Sequence, residues 1–145
     1  MSPEELADRA AVLDVVAAYA YTLDTKDWTG FGALFTDDAA WVYEAMLGRL
    51  DGRTAIMTTI SESLRPLDAT QHLNGNHVVT VHGDEADHTC YFQAQHLRRG
   101  APDGELYTAG GRYDDRLRRT PDGWRFTYRE LTALWSQGNL GVFQP

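Results

Sequence analysis

The sequence predicts an α+β domain, a strongly curved and mostly antiparallel sheet closed into a cone by three helices. Three observations carry this reading. Apolar residues recur with a helical period through the first half of the chain, to about Leu64. From Thr70 onward four long strand candidates follow, divided by turn signals at His82-Gly83-Asp84, Gly100–Gly104 and Pro121-Asp122-Gly123. Consecutive antiparallel strands of that length form a curved meander with one face to cover, and the helices are there to cover it.

The first helix opens at "SPEE", with Ser2 as N-cap, Pro3 at the first helical position and Glu5 completing a capping box. Its apolar stripe is read as Leu6, Ala10, Leu13, Ala17 and Ala20, and the helix runs to about Leu23. Asp24 continues that stripe, so the spacing points a carboxylate at the interior. A second helix is expected over Trp28–Phe35, with Trp28, Phe31 and Phe35 on one side. "AWVYEA" reads as a strand and "LGRLDG" as its return. "RTAIMTTISESL" reads as a third helix with Ile56, Ile60 and Leu64 in register. The strands are "TQHLNGNHVVTVHG", "EADHTCYFQAQHLRRG", "ELYTAGGRYDDRLRRT" and "GWRFTYRELTALWS". No internal repeat, low-complexity segment or linker interrupts residues 1–145, which are read as one domain.

Composition narrows the function classes. The 145 residues are 43% hydrophobic and 23% charged, ordinary for a globular protein. A formal charge of −8 argues against a nucleic-acid partner, because phosphate binding needs clustered Lys and Arg. The one basic cluster, Arg116-Leu117-Arg118-Arg119, reads as a solvated strand end. No apolar run reaches the length of about 18 residues that spans a bilayer, so no membrane partner is expected. The acidic N-terminus is unlike a secretory signal, which makes a cytoplasmic location the default expectation. Cys90 is the only cysteine, which excludes a disulfide within the chain, and it reads as a buried, inert thiol.

Among the five histidines, His82 precedes a turn and is expected at the surface, while His77 and His88 read as structural or surface residues. Period-two alternation puts His72, Asn74, Asn76 and Val78 on one strand face, and Leu73, His77, Val79 and Val81 on the other. That splits His72 from His77, and no H-x-x-x-H or H-E-x-x-H helix motif exists, so no metal site is expected. A buried Asp beside a His is a different matter. The carboxylate accepts one ring N–H, sets the tautomer and stabilises the imidazolium formed when the other nitrogen takes a proton.

The order of elements, with "LDTKDW…FGALFTDDAAWVYE", "GRTAI", "TQHLNGN" and "GRYDDRLRRTPDGWRF", resembles the SnoaL-like branch of the nuclear transport factor 2-like superfamily over about residues 4–136. In pattern it is closest to the lyase-type members scytalone dehydratase, hexachlorocyclohexane dehydrochlorinase and bile-acid 7α-dehydratase. The resemblance implies a conical pocket and a His–Asp dyad, with Asp24 in "YTLDTKD" and His72 in "TQHLNGN" at the matching positions. It also implies an arginine at Arg129, five residues after Trp124, and a second pocket histidine at His96 or His88. Tyr19, Tyr21 and Tyr43 loosely match the tyrosines that hold a water in scytalone dehydratase.

These readings converge on a cofactor-free lyase for a small hydrophobic, cyclic substrate. His72 is the expected base, Asp24 its orienting partner, and Arg129 or a tyrosine the anion stabiliser. Tyr19, Trp41, Tyr43, His96, Tyr113 and Trp135 are the expected substrate-binding residues, whereas Trp28, Phe31 and Phe92 read as plain core. A polyketide cyclase or isomerase, and a non-catalytic binding domain, are the alternatives. Related folds self-associate through the outer sheet face, so a homodimer or homotrimer is expected.

Overall fold

A computed structural model describes all residues from Met1 to Pro145. The elements run α1 (Pro3–Asp24), α2 (Trp28–Gly32), β1 (Phe35–Tyr43), β2 (Gly48–Asp51), α3 (Arg53–Leu64), β3 (Ala69–His82), β4 (Glu85–Leu97), β5 (Leu106–Thr120) and β6 (Gly123–Gly138). A 3₁₀ turn, Leu140–Phe143, follows. The strands form one sheet in the order β2-β1-β6-β5-β4-β3, antiparallel throughout except for the parallel pair β1/β6. Three helices pack on its concave face, the expected α+β cone. The sheet stays open, with β2 and β3 as its edges.

The capping box at Ser2 and Glu5 forms as read, each side chain satisfying the other's backbone N–H. The buried stripe of α1 is not the expected one. Asp8, Val12, Val15, Val16, Tyr19, Ala20 and Leu23 face the core. Of the expected stripe only Ala20 is buried, while Leu6, Ala10 and Ala17 are exposed and Leu13 is half-buried. The physical reason is area: valines, Tyr19 and Leu23 remove far more apolar surface from water than the alanines of the other stripe. Asp24 therefore sits at the margin of the buried face, half-buried rather than central.

Helix α2 is shorter than expected because Phe35 already pairs with Phe126 of β6, which starts β1 at "FTDD" rather than at Ala40. Strand β3 breaks its alternation. Its register with β4 slips between Gly75 and Val78, and Asn76 adopts φ 59°. This bulge adds a residue and moves His77 onto the concave face, where its ring meets His88. The expected separation of His72 and His77 on opposite faces is thus corrected. A second irregularity lies between β5 and β6, where Gly110 pairs with Trp135 and Gly111 with Ala133, so the extra residue Leu134 belongs to β6.

Twenty-six residues form the core, centred on the aromatic group Tyr19, Phe31, Phe35 and Phe126 with ring centroids 5.2–6.2 Å apart. That packing anchors the last turns of α1 against the sheet, which is what positions Asp24.

Candidate active site

Asp24 is the last residue of α1, where the helix carbonyls disfavour a negative charge and no basic side chain offsets them. Strand β3 supplies the compensation. Asp24 Oδ1 accepts from His72 Nδ1 at 2.7 Å and from the Thr70 hydroxyl at 2.9 Å, and Oδ2 accepts from the His72 backbone N–H at 3.0 Å. Burial pushes the Asp24 carboxyl upward, but the His72 ring, the His72 backbone N–H and Thr70 outweigh it, so the group lies below its ordinary value and stays ionised. With Nδ1 committed to Asp24, His72 presents Nε2 as its free nitrogen.

His72 lies on the wall of a cavity of about 320 Å³. Sixteen of the twenty lining residues are hydrophobic, so the interior suits an apolar molecule with few polar anchors. Of the expected site residues, Tyr19, Trp41, Tyr43, His72, His96 and Tyr113 line this cavity. Asp24 stands behind His72.

His96 lies beside the dyad, its ring centroid 6.1 Å from that of His72. Its Nδ1 donates to the Tyr107 carbonyl at 2.9 Å, leaving Nε2 as an acceptor. Burial dominates its titration and pushes the pKa down to about 4. His96 is therefore neutral near pH 7, an acceptor for a substrate hydroxyl rather than an acid. Trp41 Nε1 donates to the Tyr19 hydroxyl at 3.0 Å, and burial raises the Tyr19 and Tyr43 phenols, so both keep their protons.

Besides Asp24, two expected site residues do not line the cavity. Arg129 is fully buried and bonded to Asp115 through Nε at 2.7 Å and Nη2 at 2.9 Å. The Tyr113, Tyr19 and Phe126 rings surround it, their centroids 3.7, 4.2 and 4.5 Å from its guanidinium carbon, so it lies behind the cavity floor. Trp135 is 46% exposed and packs over Gly110 on the far side of the sheet. His88 also belongs to the Asp115 group, donating from Nδ1 at 2.6 Å, and does not enter the cavity.

The sequence reading missed Met46, Tyr107, Leu131, Leu140 and Phe143 as lining residues, and assigned Phe92 to plain core although it lines the cavity. Tyr107 faces inward because it pairs with His96 across β4/β5, a register no local pattern encodes. Leu140 and Phe143 come from the 3₁₀ turn, whose only signal is the apolar cluster in "NLGVF" after the last strand.

Comparison with known proteins agrees with this architecture. Residues 4–130 match the SnoaL-like domain family, and the chain belongs to that family. An uncharacterized protein of Mycobacterium tuberculosis is 32% identical over 138 residues, covering 94% of this chain and 92% of its own. Among solved structures, the Kfla4162 protein of Kribbella flavida superposes with a TM-score of 0.89 at 26% identity, covering 97% and 99% of the two chains. A candidate scytalone dehydratase of Novosphingobium aromaticivorans gives 0.85 at 24% identity over 96% and 92%. A hexachlorocyclohexane dehydrochlorinase gives 0.82 at 19% identity over 94% and 92%. The last two likenesses establish a shared nuclear transport factor 2-like fold.

Proposed function

We propose that this protein is a cofactor-independent lyase that eliminates water or hydrogen halide from a small, hydrophobic, cyclic substrate. The observation that carries the proposal is the Asp24–His72 pair on the wall of an apolar cavity. Lyase-type neighbours of the same fold, named a dehydratase and a dehydrochlorinase, support the reaction class.

His72 Nε2 takes a proton from a substrate carbon. The electrons of that C–H bond form the new C=C bond as the bond to the leaving group breaks, and the leaving group departs with its electron pair. Asp24 stabilises the imidazolium, which returns its proton to the departing hydroxide or to water. The Tyr43 phenol supplies a protonated donor to developing negative charge, and neutral His96 accepts from a ring hydroxyl. General-base catalysis of this kind contributes about 10²–10⁴-fold, so the substrate needs an acidic C–H or a good leaving group.

The test is a mass-spectrometric screen of hydroxylated and halogenated cyclic compounds for loss of water or hydrogen halide. Product made by the wild type and not by His72→Ala or Asp24→Asn supports the reading. Product made equally by either variant rejects it.

A further inference from the structure

Away from the cavity, the concave face carries a second cluster of chemically active side chains that the elimination reading does not use. One ring nitrogen of His77, one of His88 and Cys90 Sγ all lie within 4.8 Å of one another, and His77 Nδ1 faces His88 Nε2. The two ring nitrogens are 2.9 Å apart, and the rings are stacked at 5.2 Å. Cys90 and His88 are neighbours on the inward face of β4, and the β3 bulge is what brings His77 opposite them. Two imidazoles and one thiol are the ligand types of soft and borderline transition metals.

The surroundings are those of a ligand shell. Asp115 holds His88 through Nδ1 at 2.6 Å, which sets the tautomer and leaves the Nε2 lone pair directed at His77. A carboxylate behind a histidine is the usual outer support of a metal-bound imidazole. Asp115 is in turn locked by Arg129, so the orientation of His88 is built in before any ion arrives. Cys90 has no disulfide partner, and His77 is exposed, which opens a way in from solvent.

From this geometry we infer that His77, His88 and Cys90 form a binding site for a d¹⁰ metal ion, copper(I) or zinc(II), clamping edge strand β3 to β4. Around such an ion, nitrogen ligands stand about 3.3 Å apart and nitrogen and sulfur about 3.6 Å. The rings must part slightly and the thiol must approach. Exposed His77 on an edge strand has the freedom to do so.

Charge favours copper(I). Bound Cys90 contributes one negative charge once the metal replaces its proton, while the charges of Asp115 and Arg129 cancel. A monovalent ion then leaves the buried site neutral, and a divalent one leaves a net positive charge unless a hydroxide joins it. The site is independent of the dyad, since none of its three ligands lines the cavity.

The test uses the chelator-stripped full chain. It is titrated with copper(I) under reductant and, separately, with zinc(II), reading metal per chain after desalting and the melting temperature. The expected result is one equivalent of metal, a melting temperature raised by several degrees, and both effects lost in His77→Gln and Cys90→Ser. His77 is exposed, so His77→Gln keeps the test sound if Cys90→Ser folds poorly. Stoichiometric binding of zinc alone, with the same dependence on these residues, supports the site and overturns the copper preference. Absence of binding by either ion, or binding that survives His77→Gln, overturns the site.

Discussion

Asp24 accepts hydrogen bonds from both the ring and the backbone N–H of one residue, His72, at 2.7 and 3.0 Å. The double contact fixes the imidazole's position and its tautomer together. It also joins the end of α1 to edge strand β3, so the pair exists only when helix and sheet are docked.

For Asp24→Asn and His72→Ala, turnover should fall by about 10²–10⁴-fold each, with circular dichroism confirming that both variants fold. An aspartate-based cyclase would behave differently: His72→Ala would keep most of its turnover and Asp24→Asn would lose it. Rates of both variants on one substrate separate the two mechanisms.

Stability should depend on pH through His96. Its folded pKa is about 4 against an ordinary 6.5, so as pH falls the unfolded chain binds the proton first. Stability should therefore drop from pH 6.5 towards 4, by up to roughly 3 kcal/mol from this group. Chemical denaturation across that range should show a shallower slope for His96→Gln than for wild type. Equal slopes would mean that burial does not suppress the charge.

The Arg129–Asp115 pair should be structural. Arg129→Met leaves the Asp115 carboxylate buried without its main partner and should cost about 3–5 kcal/mol. The double variant Arg129→Met/Asp115→Leu removes both charges and should recover part of that loss by denaturant titration. A single variant as stable as wild type would show that Asp115 needs no cation.

Glycines 110 and 111 should tolerate substitution unequally. A Cβ at Gly111 would lie 2.2 Å from the Thr132 carbonyl oxygen and 2.8 Å from the Phe92 ring, and the backbone has no room to yield. Gly111→Ala should cost about 1–3 kcal/mol. At Gly110 the obstacle is the Trp135 side chain, 46% exposed and free to swing away. Gly110→Ala should lower the melting temperature less; the reverse order would contradict the assignment.

Local signals determined much of the outcome. Capping at Ser2 and Glu5, the helical period of α3 and the three strand turns depend on neighbours in the chain, and each forms as read. The helical period pointed Asp24 inward along a stripe that is mostly exposed, and Asp24 lies only at the margin of the buried face. The resemblance of "TQHLNGN" placed His72 as its partner. The contact itself, the register that turns Tyr107 into the cavity, and the bulge that carries His77 across β3 were decided by tertiary structure. So was the position of Arg129, whose spacing from Trp124 matched a catalytic role while Asp115, one strand away, held it behind the cavity floor. The division has one cause. Propensity and capping act over about four residues, whereas strand register, bulges and buried ion pairs are settled by which distant residues the packed sheet brings face to face.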